Sequence, residues 1–322
     1  MEAQAVEVRR LGNTGLKVSQ LSLGTWLTFG EQLPEGDAVE LLRRAYDQGV
    51  NFFDTADIYA KGEAERILGR GLRDLPRPSV VVSTKVFRET MPGPNGAGLS
   101  RKHIFESCHA SLQRLALDYL DIYFCHSFDE GTPLEETVRA MGDLVRQGKV
   151  LYWGTSNWSA RHLSEAVMIA RQLGIPPPVV EQPEYNLLHR ERVEHDLAPL
   201  VASEGIGLVT YAPLRSGLLT GKYNDGPPPG TRLAYREWLR PILTDPLALE
   251  RVRRLTALAA DLGLPLSQLA IAWLLSRPYV SSVILGASSL RHLDENLAAA
   301  EKRERLTPTV LEQIEQILAP SA

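Results

Sequence analysis

Asp54, Tyr59, Lys85 and His126 are residue types that can together bring a proton to a carbonyl oxygen. A tyrosine is a poor acid near neutrality, with a free pKa of about 10. A nearby ammonium favours the ionised phenol and lowers that value, a service Lys85 could perform while Asp54 holds the lysine charged and oriented. His126 could hydrogen-bond a substrate oxygen. These groups suit a site that protonates a carbonyl while something else supplies hydride. No side chain carries a reductant, so a nicotinamide cofactor is required. Each residue also has a plainer reading: Asp54 as the cap of the next turn, Tyr59 as a wall residue, Lys85 as a solvated base, His126 as a satisfied core histidine.

All but Tyr59 of these candidates stand at the ends of apolar runs. Asp54 ends NFFD, Lys85 ends VVSTK and His126 ends IYFCH, while Asn157 and Gln182 close the later runs GTSN and VVEQ. Tyr59 follows Asp54 by five residues. In barrels of alternating strands and helices, the loops after the strands build the active site. Strands are expected to begin near 20, 51, 80, 121, 150, 179, 206 and 282, with helical spacing of apolar residues between them. That count predicts an α/β fold, a closed (β/α)8 TIM barrel, preceded by a β-hairpin that turns at GNTG, residues 12–15. A doubly wound open sheet would favour a Gly-rich fingerprint in its first strand–helix turn, and GNTG lacks that spacing. Asp37 and Ser100 are expected helix caps, and Thr132-Pro133 opens another helix. After Tyr211 the rhythm breaks. Residues 215–245 are rich in Gly and Pro and read as a long loop after the seventh strand. No linker divides the chain, so 1–322 is expected to be a single domain.

Composition narrows the function. The 322 residues carry a net charge of -4 and a pI near 6.0 without a dense Lys/Arg run, which argues against nucleic acid as partner. Cys108 and Cys125 fall in apolar patterns and are expected to be core thiols rather than a disulfide scaffold. The seven histidines are scattered, and neither cysteine begins a ligand-spaced cluster, so no metal site is expected. No apolar run of membrane-spanning length and no signal-peptide h-region is seen, which makes the cytoplasm the expected location. A sugar-processing barrel using Glu181 and Asp54 as paired carboxylates is a rival, although no feature pairs them.

FDTADIY with Glu63, then STK, the histidine after DIYF, GTSN, EQPEYN, YAPL and GKY resemble, in order, the motifs of the aldo-keto reductases across essentially the whole chain. TPLEETVRAMGDLVRQGKVLYWGTSNWSA and EQPEYNLLHRERVE are particularly similar to the branch containing voltage-gated potassium channel beta subunits and their bacterial relatives. The resemblance implies a catalytic tetrad of Asp54, Tyr59, Lys85 and His126, with Tyr59 as general acid, Lys85 and Asp54 as its tuning pair and His126 orienting the substrate. The channel subunits commonly carry asparagine where His126 stands, so the histidine favours an active enzyme over a purely regulatory, cofactor-bound subunit. By the same resemblance Gly24, Thr25 and Trp26, together with Asp54, lie beside the nicotinamide ribose and the mouth of the site. Ser156, Asn157 and Gln182 hold the carboxamide, and Tyr211 stacks on the ring. Leu214, Ser216, Leu218, Lys222 and Arg232 meet the pyrophosphate. Gly286, Ser288, His292, Glu295 and Asn296 meet the adenosine half. Many family members place a cation near the 2'-phosphate, where this chain has Ser288 and His292 with Arg291 adjacent; the branch nonetheless prefers NADPH/NADP+, with NADH left open. Trp26, Tyr59, Phe87, His126 and Trp158 are expected to rim a pocket for a small-molecule aldehyde or ketone, with Arg88 near its mouth. The branch includes monomers and several homo-oligomers.

Overall fold

The computed structural model describes residues 6–229, 231–235 and 237–319, with the side chains of Arg232, Tyr235 and Arg240 outside the described part. The chain opens with the expected hairpin, β1 (Val8–Arg10) and β2 (Lys17–Ser19), paired antiparallel. Strand and helix then alternate: β3 (Leu21–Gly24), α1 (Glu35–Asp47), β4 (Phe52–Asp54), α2 (Glu63–Leu72), β5 (Val81–Val86), α3 (Arg101–Leu115), β6 (Leu120–Cys125) and α4 (Leu134–Arg146). The second half continues with β7 (Val150–Ser156), α5 (Ala160–Gln172), β8 (Val180–Gln182), α6 (Ala198–Glu204), β9 (Gly207–Thr210), α7 (Arg232–Tyr235), α8 (Pro246–Asp261), α9 (Leu266–Leu275), β10 (Val280–Leu285), α10 (Leu290–Leu297) and α11 (Pro308–Leu318). Strands β3 to β10 close into a parallel barrel in the order β10-β3-β4-β5-β6-β7-β8-β9.

Successive strand residues face opposite sides of a sheet, and this alternation sorts the barrel into two cores. Phe52, Val81, Ile122, Phe124, Val180, Val209 and Ile284 form an inner cluster, while Phe53, Val82, Tyr123 and Leu208 join the large outer core under the helices. Leu11 and Val18 of the hairpin complete the inner cluster, so the hairpin plugs the end of the barrel where the strands begin. Gly12 makes that fit: a Cβ there would lie 2.3 Å from Gly205 O, at a φ of +55°.

Helix starts follow local chemistry. Ser100, Ser159, Ser289 and Thr307 each accept a hydrogen bond from the backbone N–H three residues on. Asp37 is not a cap: Pro34 stands at the N-cap of α1, and Asp37 lies inside its first turn, where its charge suits the helix dipole. The 215–245 segment is long but not structureless, since it holds 3-10 turns at Arg215–Thr220 and Glu237–Leu243 besides α7. Among the described residues no single helix is long and apolar enough to cross a membrane.

Candidate active site

One step further along the inward-facing positions, the apolar cluster gives way to polar side chains. Asp54 follows Phe52, Lys85 follows Val81 and Ser83, Gln182 follows Val180, and Tyr211 follows Val209. The barrel therefore carries its polar layer where the strands end. Backbone strain gathers at the same face. Of the eight non-glycine residues with positive φ among those described, all but Ala116 lie in loops after barrel strands: Leu27, Ala60, Lys61, Asn157, Ala212, Arg215 and Ser216. Such conformations persist only where the surroundings enforce them, and they concentrate at functional sites.

Four side chains make the centre of this layer. Lys85 is fully buried, and its Nζ donates to Asp54 Oδ2 at 2.6 Å and to Thr55 O at 2.6 Å. Asp54 Oδ1 accepts from Ser83 Oγ at 2.6 Å and from Gln182 Nε2 at 3.1 Å, so the carboxylate is held from two strands, β5 and β8. The lysine nitrogen lies 5.0 Å from the centre of the Tyr59 ring, and the His126 ring meets Tyr59 edge-on with centroids 5.8 Å apart. Asp54, Tyr59, Lys85 and His126 are thus one cluster. Burial, together with the charges of Lys85 and Arg88, holds the His126 imidazole well below its ordinary value and keeps it neutral at pH 7. A neutral imidazole offers one N–H and one lone pair, and His126 Nδ1 is buried without a partner among the described residues.

The Tyr59 phenol is shifted up overall, where the sequence led to the expectation of a lowered value. Burial, then Asp54 and Asp57, hold the phenol well above its ordinary value, with Arg88 opposing them. Lys85, its charge paired with the carboxylate 2.6 Å away, does not outweigh that burial. Burial pulls the Lys85 ammonium down, and Asp54 works against it.

A second group extends from the four. Ser156 Oγ donates to Gln182 O at 2.9 Å, Asn157 Nδ2 to Ser156 Oγ at 3.3 Å, and Tyr211 OH to Asn157 Oδ1 at 3.3 Å. Thr25 N donates to Asp54 O at 3.0 Å, and Gly24 is in register with Asp54 on the neighbouring strand. Trp26 stands out at 39% exposure and faces Trp238 of the long loop, ring centroids 6.1 Å apart. Leu214, Ser216 and Lys222 lie in the strained segment after β9, whereas Leu218 is buried in the core and could meet a ligand through its backbone alone. Gly286 has open space around it, and Ser288 shares a hydrogen bond with His292 Nδ1 at 3.1 Å over the start of α10. Glu295 pairs with Arg291 at 3.0 Å, and Asn296 is buried. β10 lies between β9 and β3, so these three loops adjoin. The side chain of Arg232 lies outside the described part.

Trp158 does not rim the mouth. It is fully buried on the turn after β7, edge-on to Phe128 with ring centroids 4.9 Å apart. Glu181 is no partner to Asp54 either. It faces away from the barrel interior and accepts from Thr155 Oγ1 at 2.5 Å and from Trp158 N at 3.1 Å, and burial pushes it up to about 7. Cys108 and Cys125 are buried free thiols. Among the described residues no cluster of His, Cys, Asp or Glu is placed to hold a metal ion.

The sequence profile of the aldo/keto reductase family matches residues 20–319. The chain belongs to this family. An Arabidopsis thaliana relative named "Probable voltage-gated potassium channel subunit beta" is 48% identical over 319 residues, covering 97% of each chain. A relative of the same name from Oryza sativa subsp. japonica is likewise 48% identical over 319 residues with 97% of each chain covered. A Schizosaccharomyces pombe protein named for the same kind of subunit is 45% identical over 324 residues, covering 97% of this chain and 93% of its own.

As an aldo/keto reductase the chain is expected to take NAD(P)H, and its donor set fits that group. Ser156, Asn157 and Gln182 offer both donors and acceptors at adjoining strand ends, which an amide-bearing ring needs, and the half-buried Tyr211 lies against them. Reading the sequence passed over Asp57, Ser107 and Trp238. Asp57 alone left a trace there, as an acid two residues before Tyr59.

Proposed function

We propose that this aldo/keto reductase catalyses the NADPH-dependent reduction of an aldehyde or ketone to the alcohol, with Tyr59 as the proton donor. The observation that carries the reading is the fully buried Lys85–Asp54 contact of 2.6 Å beneath the Tyr59 ring. Bound nicotinamide supplies hydride to the carbonyl carbon. Tyr59 gives its hydroxyl proton to the carbonyl oxygen as negative charge develops there, and the Lys85 ammonium beside the ring stabilises the phenolate left behind. Asp54 keeps Lys85 charged and aimed. The neutral His126 hydrogen-bonds the substrate oxygen. Gly24, Thr25, Trp26, Ser156, Asn157, Gln182 and Tyr211 would hold the nicotinamide end, and the loops after β9 and β10 the pyrophosphate and adenosine. Trp26, Tyr59, Phe87 and His126 frame an aromatic pocket suited to an uncharged carbonyl compound of moderate size. The exposed Arg88, stacked over Phe87 at 5.4 Å, stands near its mouth.

The names of the relatives favour a second reading, in which the chain binds the cofactor as the regulatory subunit of a membrane channel and turns over little. The two separate in one assay: NADPH binding by fluorescence titration beside NADPH oxidation with methylglyoxal or a small aromatic aldehyde. Turnover supports the reductase. Binding without turnover on any carbonyl supports the subunit. NADPH should give the higher kcat/KM of the two nicotinamides, and equal values would remove that preference.

A further inference from the structure

Asp57 is buried at 2% exposure on the loop that carries Tyr59. Its backbone N–H donates to Lys85 O at 3.4 Å, which ties it to the strand that bears the lysine. Oδ2 accepts from Ser107 Oγ at 2.7 Å, while Oδ1 has no partner in hydrogen-bonding geometry among the described residues, although the Ile58 backbone N–H also acts on the carboxyl. An ionised carboxylate with an orphaned oxygen in such a place is costly, and the neutral acid is far less so. Titratable and polar groups act on it from four elements and from its own loop. Ser107 and Arg114 come from α3 and Glu65 from α2, Lys85 stands on β5 and Tyr123 on β6, and Tyr59 shares its own loop. Arg114 is engaged elsewhere, donating from Nε to Glu65 Oε2 at 2.5 Å. The reaction derived above gives Asp57 no part.

We propose that Asp57 is a positioning residue for the reduction: uncharged, it leaves Tyr59 free to give up its proton, and ionised, it holds that proton back. The inference rests on the reductase reading of the site. Burial, opposed by the Ser107 hydrogen bond, pushes the Asp57 carboxyl up to about 7, so its charge changes near neutral pH. The Asp57 charge raises the phenol of Tyr59 and strengthens the hold of Lys85 on its proton. Below that pH the acid is neutral and Tyr59 is the stronger donor. Above it the phenol becomes a weaker acid, and reduction slows beyond what the rest of the site imposes.

Asp57→Asn fixes the neutral form in nearly the same shape. With kcat/KM for carbonyl reduction followed between about pH 5.5 and 9, the variant should match the wild type within roughly threefold at the acid end and exceed it roughly threefold to tenfold at the alkaline end, a partial Brønsted response to one charge. Ser107→Ala removes the hydrogen bond that favours the anion and should move the wild-type inflection to higher pH. A variant that runs parallel to or below the wild type at every pH overturns the proposal, as does an inflection that Ser107→Ala leaves in place. Infrared difference spectra give a readout free of turnover. The protonated-carboxyl band of Asp57 should fade through neutral pH in the wild type, fade at higher pH in Ser107→Ala and be missing in Asp57→Asn. A band that does not titrate there contradicts the proposal even if Asp57→Asn fails to fold. A wild type that reduces no carbonyl, with the band titrating as stated, instead sinks the reductase reading and takes the catalytic role of Asp57 with it.

Discussion

Lys85 has no solvent to stabilise its charge, so its protonation depends on Asp54, and the two should fail differently when changed. Lys85→Met removes the cation beside the Tyr59 ring directly and should cost the larger share of kcat/KM, on the order of 10²-fold or more. Asp54→Asn acts through the lysine and should cost less activity, yet it leaves a buried ammonium without its anion, a loss of about 3–5 kcal/mol in stability. Steady-state rates and urea midpoints of both variants check the order; Asp54→Asn slower than Lys85→Met would contradict it. Three residues of this cluster drew notice in the sequence because each ends an apolar run, but that they and Tyr59 form one set came from the resemblance to the aldo-keto reductases rather than from spacing. The direction in which Tyr59 is shifted was not legible there. It depends on burial and on Asp57 lying on the same loop, neither of which spacing records.

At the scale of elements, alternation along short strands does most of the positioning. The same period of two that buries Phe52, Val81 and Val180 inside the barrel places Asp54, Lys85 and Gln182 inside its far end. Gly154 shows how little room that leaves, because a Cβ there would lie 2.4 Å from Val180 Cγ1 and 3.0 Å from Phe124 Cε1. Gly154→Ala should therefore destabilise the fold by roughly 1–3 kcal/mol through overpacking, read as a lowered urea midpoint; an unchanged midpoint would mean that the barrel interior is looser than described. Strand starts and the cap Ser100 could be read from residue type. Two features could not. Asp37 looked like a cap, but Pro34 begins α1 earlier, and the Gly- and Pro-rich stretch after Tyr211 hid its 3-10 turns and α7. Trp158 read as a rim residue because sequence gives its distance from Asn157 but not the turn that sends it inward.

Over the whole molecule, two buried carboxyls among the described residues are pushed up toward neutrality, Asp57 and Glu181, the latter with the Arg192 guanidinium 3.8 Å away. Asp57 rises from 3.8 and Glu181 from 4.5, each to about 7. A carboxyl whose folded value is raised binds its proton more tightly in the native state than in the unfolded one. Between the two values the native state holds more protons, so stability falls as pH rises through that window. From these two groups the urea midpoint should decline between about pH 4.5 and 7 and level off beyond it. Glu181→Gln should flatten part of that decline, and a midpoint whose slope is the same in the variant would show that Glu181 does not titrate there.

Rates for Tyr59→Phe, measured beside its affinity for NADPH, test the central claim most directly. The substitution keeps the ring against Lys85 and His126 and removes only the hydroxyl. The expected result is cofactor binding like that of the wild type with carbonyl reduction down by roughly 10²-fold or more. Reduction at the wild-type rate with cofactor still bound would show that the proton reaches the carbonyl from another group.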